Sequence, residues 1–287
     1  MPDLVADRSA AEGPRPEAVS PASASAAHHL VVAGVSKRFG GVSAVENVSL
    51  SLQQGEIVSV IGPNGAGKTS LLNMISGFYR PDTGRITLGG VDITTARPSK
   101  IATLGIARTF QNIALFSGLT VVENVMLGRH IHMTSGVLAG VFYLGRAKSQ
   151  EMESRRHAEE ALEMLGLSHL REKMSAELAY GLRKRLELAR ALMLEPRILL
   201  LDEPMGGMNQ DEKQAMKRLI CEVNEQRGTA IVLIEHDIGV VMDISDRVVV
   251  LDRGRKIADD TPAVVQRDPA VVQAYLGTRR ARVVKRG

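Results

Sequence analysis

The sequence predicts an α/β fold with a buried parallel sheet, on three observations. Ile57-Val58-Ser59-Val60-Ile61, Ile198-Leu199-Leu200-Leu201 and Ala230-Ile231-Val232-Leu233-Ile234 are short, almost wholly apolar runs. Such runs are the mark of strands covered on both faces. Each run stops abruptly, at Gly62, at Asp202-Glu203 and at Glu235-His236-Asp237. Open α/β sheets bind ligands outside the carboxyl ends of their strands, so the endings point to one site.

The first ending is the most specific. Gly62-Pro63-Asn64-Gly65-Ala66-Gly67-Lys68-Thr69 reads G-x-x-x-x-G-K-[ST], followed by a helical pattern through Leu71, Leu72 and Ile75. Glycines let the backbone wrap closely and turn its N–H groups toward phosphate oxygens, and the helix dipole adds to that anion site. Lys68 is suited to reach the β- and γ-phosphates, and the Thr69 hydroxyl to ligate Mg²⁺. Nucleotide binding follows.

The flanking elements are read in order. Residues 1–29 are rich in Ala, Ser and Pro without periodicity, which predicts a disordered extension. LVVAGVSKRF and AVENVSLSL alternate as an antiparallel strand pair. Phe39 lies between them and suits either the core or an adenine face. Residues 79–95 read as a hairpin returning to the sheet, and 101–116 as a helix end and a strand ending at Gln111. From about 119 to 190 helical periodicity replaces strand signals, with Ala158, Ala161, Leu162 and Leu165 on one helix and Leu178, Leu182, Leu186 and Ala189 on another. The apolar run 137–144 is either ordinary packing or a docking surface.

At the second ending, Asp202 is placed to hold Mg²⁺ and Glu203 to polarise a water attacking the γ-phosphate. His236 is placed as a γ-phosphate contact at the third. RVVVLDRGRKIAD then reads as a hairpin turning at Arg253-Gly254, before a short helix in VVQAYL.

Composition limits the alternatives. Of 287 residues 44% are apolar and 24% charged, an ordinary globular balance. No apolar run approaches the eighteen or so residues that span a bilayer, and no signal pattern opens the chain, so a cytoplasmic location is expected. Cys221 is the single cysteine, which excludes an internal disulfide and a cysteine metal cluster. Arg279, Arg280, Arg282, Lys285 and Arg286 make a basic tail over 278–287, read as a solvated end rather than a nucleic-acid or phospholipid contact.

Together these residues resemble the ATP-binding subunit of an ABC transporter, over about 30–277. The resemblance implies a P-loop NTPase with a RecA-like core, an antiparallel β subdomain and an inserted helical subdomain. It makes Phe39 the adenine-stacking aromatic and Gly62–Thr69, with Ser70, the Walker A segment. Gln111 becomes the Q-loop residue, a ligand of Mg²⁺ and a water-orienting amide. Leu178–Leu182 becomes the signature, Asp202-Glu203 Walker B and the catalytic acid, Met205–Asn209 the D-loop and His236 the switch histidine. TFQNIALFSGLTVVENVMLGRH, LAYGLRKRLELARAL and LIEHDIGVVMDISDRVVVLDRG are similar to the larger ATPase subunit of branched-chain amino-acid importers.

The signature departs from the general LSGGQ form: Ala179 replaces the serine and Leu182 the glutamine, with Tyr180 as in the subfamily. The Gly181 backbone and the helix N-terminus are left to bind the opposing nucleotide. The resemblance implies ATP and Mg²⁺ as cofactors, a second ATPase subunit (a copy or a shorter paralogue), two permease subunits and a solute-binding protein, with this chain peripheral at the cytoplasmic membrane face. A lipid or lipopolysaccharide exporter ATPase is the neighbouring alternative. A soluble mechanical ABC protein acting on nucleic acid has only the basic tail in its favour.

Overall fold

A computed structural model of the chain describes residues 29–109, 111, 113–132 and 144–275. The expected N-terminal extension, the apolar run 137–144 and the basic tail lie outside the described residues, apart from His29 and Leu144 at their edges.

The chain opens with β1 (Leu30–Phe39) and β2 (Val42–Leu52), antiparallel partners running from Leu30↔Leu52 to Phe39↔Val42. Next come β3 (Ile57–Ile61) and α1 (Lys68–Ile75), then β4 (Thr83–Leu88) and β5 (Val91–Asp92). The last two complete a four-stranded antiparallel sheet in the order β2-β1-β4-β5. The hairpin expected over 79–95 is therefore an edge of that sheet.

Helix α2 (Pro98–Thr103) leads to β6 (Ile106–Arg108), after which helices dominate: α3 (Val121–Met126), α4 (Leu144–Met164) and α5 (Tyr180–Leu192). Thr120↔Met174 is the one isolated bridge among the described residues. A capping box starts α3, with the Thr120 hydroxyl accepting from Glu123 N–H and the Glu123 carboxylate accepting from Thr120 N–H. Helix α5 starts later than its apolar spacing suggests. Leu178 is buried but extended (ψ 140°) and Ala179 is the N-cap, so the leucine packs from the preceding turn rather than from the helix.

The remaining elements are β7 (Ile198–Asp202), α6 (Gln210–Arg227), β8 (Ala230–Ile234), α7 (Ile238–Ile244), β9 (Arg247–Asp252), β10 (Arg255–Asp260) and α8 (Pro262–Val265). The β9–β10 turn uses Arg253 (φ 45°) and Gly254 (φ 82°), two consecutive positive φ values as in a type I′ hairpin. Residues 269–275 are helical, in line with the expected VVQAYL helix. A six-stranded sheet has the order β10-β9-β3-β8-β7-β6, parallel except at β9–β10.

Every residue of β3, β7 and β8 is buried, and their alternation splits the core in two. Val58, Val60, Leu200, Val232 and Ile234 face α1 and the antiparallel sheet, packing with Val32, Val48, Leu71 and Ile86. Ile57, Leu199, Leu201, Ile231 and Leu233 face the helices, packing with Val125, Leu162, Leu186 and Ile220. A run apolar at both parities is what two covered faces require. The consequence for function lies in the register. Val60 and Asp202 both pair with Ile234, so the carboxyl ends of β3, β7 and β8 finish side by side.

Candidate nucleotide site

At that shared edge Gly62–Lys68 turns from β3 into α1. Two glycines are dictated by space as well as by φ. Gly62 (φ 148°) would place a Cβ 2.0 Å from the Leu251 carbonyl oxygen, and Gly67 (φ 99°) one 2.2 Å from the Ala44 carbonyl oxygen. The loop is thus pressed against β9 and β2. Tyr275, from the C-terminal helix, adds a hydrogen bond with the Gly62 backbone that partly offsets burial, which pushes its phenol up to about 12.

Beside the loop lies an open cleft of about 390 Å³ lined by Val42, Ser43 and Ala44, the loop residues Asn64 through Ser70, and Glu203 and His236. The segment expected to hold phosphates, Gly65, Ala66, Gly67, Lys68, Thr69 and Ser70, therefore shares one space with Glu203 and His236. Lys68 is 7% exposed, and its ammonium donates to the carbonyls of Gly62 (2.8 Å) and Pro63 (3.1 Å). Burial pushes its pKa down, and the nearby Glu203 and Asp202 carboxylates pull it back up.

Glu203 follows β7 in the left-handed region (φ 52°), which few non-glycine residues adopt. Its N–H donates to Ile234 O (2.9 Å), fixing the turn to β8. The side chain is gripped from both sides. Gln111 Nε2 donates to Oε2 at 2.9 Å, and His236 Nε2 lies 2.7 Å from Oε1. Gln111, Glu203 and His236, expected as three separate contributors, form one hydrogen-bonded chain.

Asp202 is 2% exposed and paired with Arg108, whose Nη2 donates to Oδ2 at 2.9 Å. Its Oδ1 is buried with no hydrogen-bond partner among the described residues. An orphaned carboxylate oxygen beside a phosphate loop fits a cation's water shell, because a buried acceptor left unpaired is costly. With Thr69 in the cleft wall and Asp202 close enough to act on Lys68, the donor set suits Mg²⁺ bound with a nucleotide.

Phe39 and the segment Ala179, Tyr180 and Gly181 stand apart from the cleft lining. Phe39 is half-exposed at the end of β1, its ring edge-on to Tyr79 (centroids 5.1 Å apart) with Lys37 Nζ over it at 5.7 Å. Its strand partner Val42 does line the cleft. Ala179, Tyr180 and Gly181 lie at the start of α5. Gly181 is packed so tightly on α6 that a Cβ would meet Glu212 Oε1 at 2.5 Å, and the Tyr180 ring lies over Gly207.

Several supporting residues escaped the sequence reading. Glu235 is buried, and its carboxylate accepts from Met205 N–H (2.7 Å) and His236 N–H (3.1 Å), tying the segment after Glu203 to the end of β8. Burial, aided by Glu203, raises its pKa against those two hydrogen bonds. From α5, Lys184 donates to Gln111 O (2.9 Å) while Glu187 accepts from Ala114 N–H (2.9 Å), both nearly inaccessible. A charged residue within an otherwise apolar helix face was the available signal for these two.

A P-loop between a central parallel strand and its helix, with an acidic pair closing the strand next but one in the same sheet, defines a nucleotide-binding cassette. The ABC transporter family model matches residues 45–206, and the model for branched-chain amino acid ATP-binding cassette transporters matches 255–281. The chain belongs to the ABC transporter family. It is 43% identical over 248 residues to BraF, a high-affinity branched-chain amino acid transport ATP-binding protein of Pseudomonas aeruginosa, covering 86% of this chain and 97% of BraF. A solved ATP-binding cassette of an ABC transporter in its ADP conformation superposes with a TM-score of 0.76 at 34% identity, covering 87% and 99% of the two chains. A dimeric cassette in a post-hydrolysis state with ADP and Pi superposes at 0.69 and 26% identity, covering 81% and 98%.

Proposed function

We propose that this chain binds and hydrolyses ATP to power an importer for branched-chain or related amino acids. One observation carries the chemistry: the Glu203 carboxylate is fixed by Gln111 and His236 at the wall of the cleft that holds Lys68 and Thr69. Likeness to BraF over nearly its whole length supports the transport role.

In this reading Gly62 through Ser70 wrap the phosphates with backbone N–H groups, and Lys68 exchanges its two carbonyl partners for phosphate oxygens. Phe39 stacks on the adenine. Mg²⁺ supplies charge neutralisation and orientation of the phosphates, held by Thr69, Asp202 and Gln111. Glu203 accepts the proton of the attacking water while Gln111 and His236 keep its carboxylate aimed.

Ala179, Tyr180 and Gly181 stand outside this chain's own cleft wall, which suits the signature role that the resemblance implies, their backbone serving the nucleotide of a second ATPase subunit. Ala179 offers no side-chain cap, which leaves the first N–H groups of α5 for that phosphate. Closure of the pair would move α5 and the Gln111 segment it holds against two permease subunits supplied by a solute-binding protein. No helix among the described residues is long and apolar enough to cross a membrane, which suits a peripheral place on the cytoplasmic face of the inner membrane.

Gentle solubilisation of membranes carrying the tagged chain tests this. Two polytopic permeases with a second ATPase are expected to co-purify, and binding assays on the solute receptor would then identify the amino acid. Exporter components or ribosomes in their place would overturn the importer reading.

A further inference from the structure

Arg108 stands at the end of β6, a strand whose other two residues, Ile106 and Ala107, are apolar and buried. A guanidinium does not enter such a place without strong partners. Nη2 donates to Asp202 Oδ2 at 2.9 Å, in a pair whose side chains are 6% and 2% exposed. Nη1 donates to Asn73 Oδ1 on α1 at 2.6 Å and to Ser76 Oγ, at the C-cap of that helix, at 3.0 Å. Ser76 is itself fixed, its hydroxyl donating to Leu72 O at 2.7 Å. One side chain therefore joins the P-loop helix, the last residue of β7 and the strand that runs on to Gln111.

The geometry points to Arg108 as a positioning residue that holds Asp202 by Oδ2 so that Oδ1 is presented to the nucleotide-bound metal ion. This rests on the reading of Asp202 as a magnesium-site residue. Three facts support it. Only one carboxylate oxygen is tied, and the other is buried without a hydrogen-bond partner. The tie is braced on the helix that begins with Lys68, so metal ligand and phosphate loop are held in one frame. A planar fork engages Asp202 and Asn73 simultaneously, which a lysine ammonium on one flexible stem does less well.

Affinity for the metal should therefore depend on Arg108 more than affinity for the nucleotide. Mn²⁺ can replace Mg²⁺ as a paramagnetic probe. Its affinity for the protein–ADP complex can be read by electron paramagnetic resonance, and ADP affinity can be read separately in EDTA. In Arg108→Met, Mn²⁺ affinity is expected to fall about tenfold or more while EDTA-measured ADP affinity moves less than about threefold, a split that one lost charge-assisted hydrogen bond would produce. Arg108→Lys should fall between Met and wild type. If Arg108→Met does not fold, the double variant Asn73→Ala with Ser76→Ala removes the brace and keeps the charge, and a Mn²⁺-specific loss is expected there too.

Unchanged Mn²⁺ affinity in the variants, or equal losses for Mn²⁺ and ADP, would overturn the positioning role. Failure of the wild-type protein to bind ADP at all would instead overturn the nucleotide-site reading.

Discussion

His236 Nε2 lies 2.7 Å from Glu203 Oε1, joining two residues 33 positions apart in the chain. Because Gln111 donates to the other oxygen, the carboxylate is held from both sides by groups on separate elements. Its freedom to rotate is removed before a water molecule meets it, and a general base gains most from such fixed geometry. The unusual backbone at Glu203 is part of the same arrangement, since the turn it makes is what lets its N–H reach Ile234 O.

Glu203→Gln separates geometry from chemistry. A glutamine carbonyl can accept from Gln111, and its amide can donate to the His236 ring, so the three-residue chain is kept while the base is lost. Hydrolysis is expected to fall by about 10²-fold or more, with ATP binding retained and the closed dimer accumulating. Steady-state phosphate release and gel filtration with ATP read the two effects. Undiminished turnover would contradict the assignment of Glu203.

Lys68→Ala removes an ammonium that already sits at an energetic disadvantage, buried and with its pKa pushed down. Only anionic oxygens recover that cost fully. Nucleotide affinity is therefore expected to drop about tenfold or more, measured by equilibrium titration with a fluorescent ATP analogue. Stability without nucleotide should change little, because the hydrogen bonds lost are those to Gly62 O and Pro63 O.

These two sites were legible in the sequence because their signals are local. The glycine spacing of the P-loop and the apolar runs before Asp202 and His236 each describe neighbours within one element. What supports them was not legible. Arg108 meets Asp202 across 94 residues, Lys184 meets Gln111 across 73, and Glu235 meets Met205 across 30. Periodicity reports which face of an element is covered, but not which loop is brought to it. The same limit explains Leu178, whose apolar spacing predicts a buried position on the helix, whereas it is buried from the turn before it.

Glu235 gives a pH test with a definite sign. Its folded pKa lies above the ordinary carboxylate value, chiefly from burial. The folded state thus holds this proton more tightly than the unfolded chain, and stability falls as pH rises from the ordinary value through the raised one. Glu235→Gln removes that dependence, although its amide faces the His236 N–H poorly. The stability advantage of wild type over the variant is therefore expected to shrink between acid and neutral pH, measured by urea denaturation at several pH values. An advantage that grew with pH would contradict the buried-carboxyl account.

Ala179→Ser restores an oxygen at the N-cap of α5, where Ala179 is already extended (φ −59°, ψ 155°) and makes no side-chain cap. A serine there can accept from the N–H of Gly181 or Leu182 and should stabilise the nucleotide-free protein by about 1 kcal/mol, seen as a higher urea midpoint. In the two-subunit arrangement proposed above, the same hydroxyl also faces the nucleotide held by the opposing chain. Sedimentation of the Glu203→Gln background with ATP, with and without Ala179→Ser, tests that second role. Tighter dimers are expected, since the hydroxyl adds a donor to phosphate that backbone N–H groups now bind unaided. A raised urea midpoint with unchanged dimerisation would show the hydroxyl engaged only by its own helix, and backbone contacts would then suffice for closure in this chain.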